Sequence, residues 1–237
     1  MRNLSLKFKT ILFSAVFLFV SFTIMAIVSV TAIINLSHKI TKEAGVPIAK
    51  RAASLVNPER FLELARTLNE KDKYYEDLRI ELFKLKTATN CKYLYTMVPK
   101  SGTTYIYVVD GSCDPSDTEN FSPLGTEEDI ESYGEAPFKT MREGTIESSG
   151  LQRQDEWGWT SSVYAPIKNS DGSIIGIVGA DFDATSIMGT IFKSIGLSIV
   201  IAIILLALLI AVLSVTTSKI FGRVKNISIH VTDIASG

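Results

Sequence analysis

The chain has 237 residues with 24 basic and 25 acidic side chains, a net charge of −1 and 46% hydrophobic residues. Near neutrality, with no basic stripe interleaved with aromatics, excludes nucleic acid as an expected partner. There is no Gly-rich phosphate loop, CxxC or HExxH, so no enzyme, metal site or cofactor is expected.

Charge is unevenly spread along the chain. Residues 11–34 carry no charged side chain, and neither do 195–215. Each run is long enough to cross a hydrocarbon core of roughly 30 Å as a helix. The first is too long for a signal-peptide core and lacks a small-x-small cleavage site, so it reads as an anchor. Arg2, Lys7 and Lys9 precede it, and Lys219, Arg223 and Lys225 follow the second span, while Lys39 and Lys42 dilute the asymmetry. The basic ends place residues 1–10 and 216–237 on the cytoplasmic side and 35–194 outside the cytoplasm. The expectation is a cell-membrane protein that crosses the bilayer twice. His38 and His230 then lie on opposite sides, which rules out a His-based triad or zinc site.

The first helix is expected to continue outward with Ile40, Ala44, Ile48, Ala52 and Leu55 on one stripe, kinked near Gly45 and Pro47. Asn57-Pro58-Glu59 reads as a new helix start, with Asn as cap and Pro at the first helical position. Phe61, Leu64, Ala65 and Leu68 carry its apolar face. A third helix, 73–89, follows from Leu78, Leu82 and Leu85. The period then changes to two. Segments 91–98 and 103–110 form a hairpin around Pro-Lys-Ser-Gly. One face holds Tyr93, Tyr95 and Met97 with Tyr105, Tyr107 and Val109; the other holds Leu94, Val98, Ile106 and Val108. The aliphatic face should cover the helices, leaving the tyrosine face for something else.

Residues 111–150 are irregular, with one short helix near 136–142. Within them "TEEDIE" (Thr126–Glu131) reads as a capped helix start or lid, and "DPSDTE" lacks the glycine and spacing of a calcium loop. Three strands follow, 151–154, 160–168 and 173–183, the last two joined by a turn at Asn169–Gly172. Helices first and an antiparallel sheet afterwards make an α+β fold. Cys91 opens one hairpin strand and Cys113 lies just past its partner, so a disulfide is expected, with two unlinked thiols as the alternative.

Asp181 shares a strand face with Ile177 and Gly179. An anion on a dry wall needs a cation or several donors. A ligand ammonium group is one such partner. The alternative is that Asp181 caps the following turn with Asp183. Tyr95, Tyr107, Trp157, Trp159 and Tyr164 are candidate aromatic walls attractive to cations, packing against the insertion being the alternative.

The layout of residues 36–190, and above all "SVYAPIKNSDGSIIGIVGADFD", resembles the Cache (PAS-like) extracellular sensor domains of microbial receptors, with room for a single module. That resemblance implies long N-terminal helices on a PAS-like sheet, and an aspartate at position 181 that holds the ammonium of an amino acid or amine. The family's amino-acid motif also places an arginine before the pocket; Arg142 and Arg153 are present, but neither sits in that motif. In the tail, Ile220, Val224, Ile227, Val231 and Ile234 make a narrow coiled-coil seam that predicts a homodimer. The closing "DIASG" resembles the end of the first helix of a HAMP linker, although Gly222-Arg223 stands where such linkers have a proline. Together these imply the N-terminal part of a receptor that binds a small extracellular solute and signals to cytoplasmic partners, as a methyl-accepting chemotaxis transducer. The alternatives are a histidine kinase or diguanylate cyclase front end, or a two-span structural or adhesion module.

Overall fold

The computed structural model describes residues 6–117, 119–154 and 158–236, with the backbone alone for 6–7, 217–218 and 220–236. They divide into two compact units, one of the segments up to Ala32 and from Thr190, the other of Ile33–Gly189.

The first unit is made of the apolar parts of two long helices, α1 (Leu6–Leu55) and α5 (Thr185–Ser236). Both contain stretches apolar enough to cross a membrane. Their large apolar side chains point outward: Phe13 is 75% exposed and Ile203 62% exposed, which suits contact with hydrocarbon rather than water. An apolar groove of about 550 Å³ lies between them, lined by Phe19, Phe22, Ile199 and Ile203 among others. Such walls, with Thr23, Thr31 and Ser198 as their hydroxyl-bearing residues and no charged side chain, suit acyl chains. The expected tail seam from Ile220 to Ile234 lies on a backbone that is helical, but its side chains are outside the described residues.

In the second unit α1 runs unbroken through Pro47 to Leu55. The residues it buries match the expected stripe only in its last part, where Ala52 is fully buried and Ile48 and Leu55 pack against the core. Ser37, Thr41, Gly45, Ala49 and Ala52 face inward, while Ile40 is 57% exposed and Ala44 is exposed. The cause is close approach of helix to sheet. A Cβ on Gly45 would stand 2.5 Å from the Val163 methyl and 2.8 Å from the Phe182 ring. Small residues at spacing four make that contact possible, and the bulky ones are turned out.

Helix α2 (Pro58–Thr67) starts as expected, with Asn57 Oδ1 accepting from the Arg60 amide at 3.0 Å. Helix α3 (Lys73–Thr87) is capped by Asp72 and buries Tyr75, Leu78, Arg79 and Leu82. Strands β1 (Tyr93–Ser101) and β2 (Thr104–Asp110) form the hairpin. The insertion is more structured than its composition suggests. It contains β3 (Glu127–Asp129), a 3-10 turn (Ile130–Tyr133), α4 (Glu135–Glu143) and β4 (Glu147–Ser148). "TEEDIE" thus begins as an edge strand on β2 and ends as the Asp129-capped start of the 3-10 helix, so the expected capped helix start holds for its second half only. Strands β5 (Gln152–Gln154), β6 (Gly158–Lys168) and β7 (Ile174–Asp183) complete an antiparallel sheet in the order β3-β2-β1-β7-β6-β4, with β5 also on β6.

The sheet buries both faces. On one, Phe61, Leu64, Leu78, Leu82, Leu94, Val163, Val178 and Ala180 pack with α1–α3. On the other, Tyr95, Met97, Tyr105, Tyr107, Tyr164 and Ile177 pack with Ile130, Tyr133 and the α4 residues Ala136, Phe138 and Met141. The tyrosine face is therefore covered by the insertion itself.

Candidate functional site

Antiparallel register decides which side chains meet on that second face. Asp181 on β7 lies opposite Tyr93 on β1 and Ser162 on β6, and Gly179 lies opposite Tyr95 and Tyr164. Facing residues share a face. Asp181, Tyr93, Tyr95, Ser162 and Tyr164 therefore converge. Gly179 makes the arrangement possible, since a Cβ there would stand 2.7 Å from the Tyr95 hydroxyl and 2.4 Å from its ring. With only hydrogen at that position, the Tyr95 ring lies across β7 and its hydroxyl donates to Asp181 Oδ1 at 3.4 Å.

A second carboxylate joins the first. The register of β1 with β2 slips between Thr96 and Met97, so Val109 pairs with Thr96 and Tyr107 with Met97. The Thr96 hydroxyl plugs the irregularity, accepting from the Val109 amide at 2.9 Å and donating to its carbonyl at 3.1 Å. Beyond it, Val109 joins the aliphatic core and Asp110, opposite Tyr95, joins the tyrosine face. This corrects the expected alternation, which put Val109 with the tyrosines. Asp110 is 4% exposed and Asp181 2%. Asp110 holds the following loop by accepting from the Ser112 amide at 2.9 Å and the Ser122 amide at 2.8 Å. Tyr93, Tyr95, Tyr107, Asp110, Ser112, Asn120, Ser122 and Asp181 enclose a cavity of about 10 Å³, the space of about one water molecule. Any larger solute must part the tyrosines and the loop.

Burial pushes the Asp181 carboxyl up from 3.8 to about 7; Ser162 and Tyr95 pull it back down, Asp110 adds to the rise, and Lys92 opposes it. Asp110 is raised as well, by burial, against the hydrogen bonds from Ser112 and Ser122. The phenols of Tyr95 and Tyr107 are raised first by burial. They stay neutral donors. None of the residues lining the cavity is basic. The Lys92 ammonium sits over the Tyr93 ring, 4.9 Å from its centroid. Arg79 is buried and spent on the loop, donating to Pro115 O at 3.3 Å and Asp117 O at 3.0 Å, with Phe121 stacked 3.9 Å away. Arg142 is exposed on α4 and pairs with Glu135 at 2.9 Å; Arg153 is exposed opposite Trp159. The arrangement offers two acids, phenolic donors and aromatic walls to a cation, and no guanidinium to a carboxylate.

Among the expected site residues, Asp181, Tyr95 and Tyr107 line the cavity, and Tyr164 is fully buried beside it on the same face. Trp159 is half-buried and belongs, by alternation along β6, to the opposite face with Val163. It does not join the cluster. Trp157 lies outside the described residues. Asp183, not Asp181, performs the capping, accepting from the Thr185 amide at 3.1 Å and the Thr185 hydroxyl at 2.7 Å at the start of α5. Asp110 was missed, although Asp-Gly-Ser, an aspartate two residues before the amide it accepts from, is a turn signal that marks where the strand stops. The expected disulfide is absent: both cysteines are free thiols. The chain leaves the sheet after Asp110, and Cys113 is drawn to within 3.5 Å of Arg79 Nη2 on α3. Cys91 instead donates to Tyr93 O at 2.7 Å and Asp181 O at 3.3 Å, and burial pushes its thiol up to about 12.

No protein-family model matches the chain, and no curated protein does. Among solved structures, the ligand-binding domain of a Campylobacter jejuni chemoreceptor in complex with L-valine matches at 11% identity and a TM-score of 0.44, covering 76% of this chain and 66% of that one. The periplasmic sensory domain of another Campylobacter jejuni chemoreceptor matches at 10% identity and a TM-score of 0.39, covering 66% of this chain and 59% of that one. The ligand-binding domain of a Pseudomonas aeruginosa amino-acid chemoreceptor in complex with GABA matches at 13% identity and 0.33, covering 65% and 67% respectively. The chain spans less than two thirds of the first two. At these scores the matches transfer no ligand and no partner to this chain.

Proposed function

We propose that this chain is the sensory unit of a transmembrane receptor that binds a small amine outside the cytoplasm. The observation that carries the reading is the pair of buried acids, Asp110 and Asp181, facing one tyrosine-lined cavity on the sheet face. A carboxylate buried without a cation is costly. An ammonium group brings the charge and the hydrogen bonds that Asp181 lacks, and tyrosine faces favour it further. The absence of basic groups from the lining favours amines over amino acids.

The same strand supplies a route for the signal. Asp181 stands four residues before Thr185, where α5 begins, and Asp183 caps that helix. A solute that moves Asp181 relative to Tyr95 and Ser162 acts on the strand that continues into the second apolar helix. Methyl-accepting chemotaxis is the output we assign, on the resemblance of β6 and β7 to Cache sensors. A kinase or cyclase output would use the same front end. The receptor acts as a homodimer through the tail seam and the exposed stripe of Leu36 and Ile40 on α1. Single cysteines at Val224, Ile227 or Val231 should then cross-link between subunits, whereas one at Ser228 should not.

The direct test is thermal unfolding of the full chain in lipid nanodiscs, screened against amines, amino acids and carboxylates. Amines should raise the melting temperature. A rise with carboxylates alone would contradict the reading.

A further inference from the structure

The acid cavity is not the end of the polar surface on this face. Along β6 the residues that share its side are Gly158, Thr160, Ser162 and Tyr164. Across from them on β5, Gln152 faces Thr160 and Gln154 faces Gly158. Gln154 is 2% exposed and Thr160 fully buried. Yet among the described residues neither atom of the Gln154 amide nor the Thr160 hydroxyl has a hydrogen-bond partner. The Gln152 amide gives its N–H to Tyr133 O at 2.7 Å, but its oxygen also has none among the described residues. Buried polar side chains almost always have partners, so a group of them on one face calls for an explanation.

Their position supplies one. Thr160 lies two residues from Ser162, which faces Asp181, a step of about 7 Å along a strand. The unpaired groups thus continue, in register, the line that Asp110, Tyr95 and Asp181 begin. We propose that the acid cavity and the Gln154–Thr160 row are two ends of one elongated site, whose solute carries an ammonium group at one end and an uncharged hydrogen-bonding group at the other. This rests on the amine-sensing reading above and narrows it.

The chemistry of the second end sets the class. An amide offers both a donor and an acceptor, and a hydroxyl does the same, so together they suit an amide or alcohol. A carboxylate there would be buried with no cation, since Arg153 faces away and Arg142 is exposed and paired with Glu135. An aliphatic tail would leave the unpaired groups unpaired.

Three solutes of similar length separate these cases. Binding of 4-aminobutanamide, n-pentylamine and 4-aminobutanoate is measured by titration calorimetry on the full chain in nanodiscs, for the wild type and for Gln154→Leu combined with Thr160→Val. The wild type should bind the amide at least tenfold more tightly than either other solute. The double variant should lose that preference and keep its affinity for n-pentylamine. The wild-type comparison stands alone if the variant fails to fold. Equal wild-type affinities, a preference for 4-aminobutanoate or n-pentylamine, or an amide preference that survives in the double variant would each overturn the two-ended site while leaving amine sensing intact. Failure of all three to bind at millimolar concentration would overturn amine sensing, and the inference with it.

Discussion

The two faces of this sheet are built from the same strands but to opposite ends. Toward α1–α3 the contacts are mostly apolar and close, Phe61 and Tyr75 among aliphatic residues; Gly45, Ala49 and Ala52 let the helix lie against Val163 and Phe182. Toward the 3-10 turn and α4 the face buries tyrosines, two carboxylates and unpaired amide and hydroxyl groups. Nothing in β-strand periodicity demands that difference. A domain selected for stability alone would fill both sides with aliphatic residues, because buried polar groups are at best neutral when paired and costly when not. The contrast says that the first face holds the fold and the second is held in readiness.

Truncation should separate the two most sharply. Phe61→Ala removes a fully buried ring from the helix side and should cost about 3–5 kcal/mol of stability. Tyr164→Phe, equally buried on the other side, removes only a hydroxyl and should change stability by less than about 1 kcal/mol. Denaturant titration of both variants checks this. A loss in Tyr164→Phe matching that in Phe61→Ala would make the tyrosine face structural as well.

Next in size is a pH effect confined to the second face. Because the folded carboxyl of Asp181 titrates near 7, above its usual 3.8, the folded state holds a proton that the unfolded chain has released. Stability should therefore fall as pH rises from about 4 to about 7 and level off above, by on the order of 4 kcal/mol at most. The titratable groups around Asp181 are Tyr93, Tyr95, Tyr107, Tyr133, Tyr164, Asp110 and Cys91, with Lys92 nearby. Asp110 is the other carboxyl among them, and burial raises it too. Asp181→Asn should remove most of the slope between pH 5 and pH 8. Amine affinity should move the other way, rising with pH through 7 as the carboxylate forms.

A smaller effect is expected at Gly179. A methyl group there meets the Tyr95 ring and hydroxyl, so Gly179→Ala should cost about 1–3 kcal/mol by forcing the ring aside, and should weaken amine binding as Tyr95 leaves Asp181. Ala at the exposed Gly172 turn should leave binding unchanged. Least of all, the cysteines should contribute no covalent staple. Denatured, unreduced protein should label at two thiols per chain, and reductant should leave the melting temperature unmoved.

What the sequence made legible follows from which physics is local. Turn residues, the Asn57 cap and period-two alternation placed the helices, the hairpin and β6–β7 within a few residues. Alternation also put Asp181 with Ile177 and Gly179, and Tyr93 with Tyr95, while the register that brings the two strands together came only with the fold. Asp110 escaped because a single irregularity at Thr96 and Met97 reverses which side the next residues face, and nothing in "YIYVVD" announces it. Trp159 shows the converse: it was grouped with Tyr164 by aromaticity, although an odd separation along an unbroken strand sets them on opposite faces. The buried stripe of α1 was read in part, at Ile48, Ala52 and Leu55; Ser37, Thr41, Gly45 and Ala49 were missed because apolar residues were counted, whereas a helix lying close to a sheet selects small ones. Gln154 and Thr160 could not be singled out, since their burial depends on how the insertion folds over the sheet.

The most direct test of the account is one variant measured two ways. Asp181→Asn keeps the shape of the side chain and removes its charge. At pH 8 the full chain in nanodiscs should unfold at the same temperature as the wild type or higher, because a buried charge has gone. It should also lose the amine-induced rise in melting temperature, corresponding to at least a tenfold loss of affinity, or roughly 1.5–3 kcal/mol. A variant that is destabilised without ligand yet responds fully to amines would contradict the account and place the binding site elsewhere.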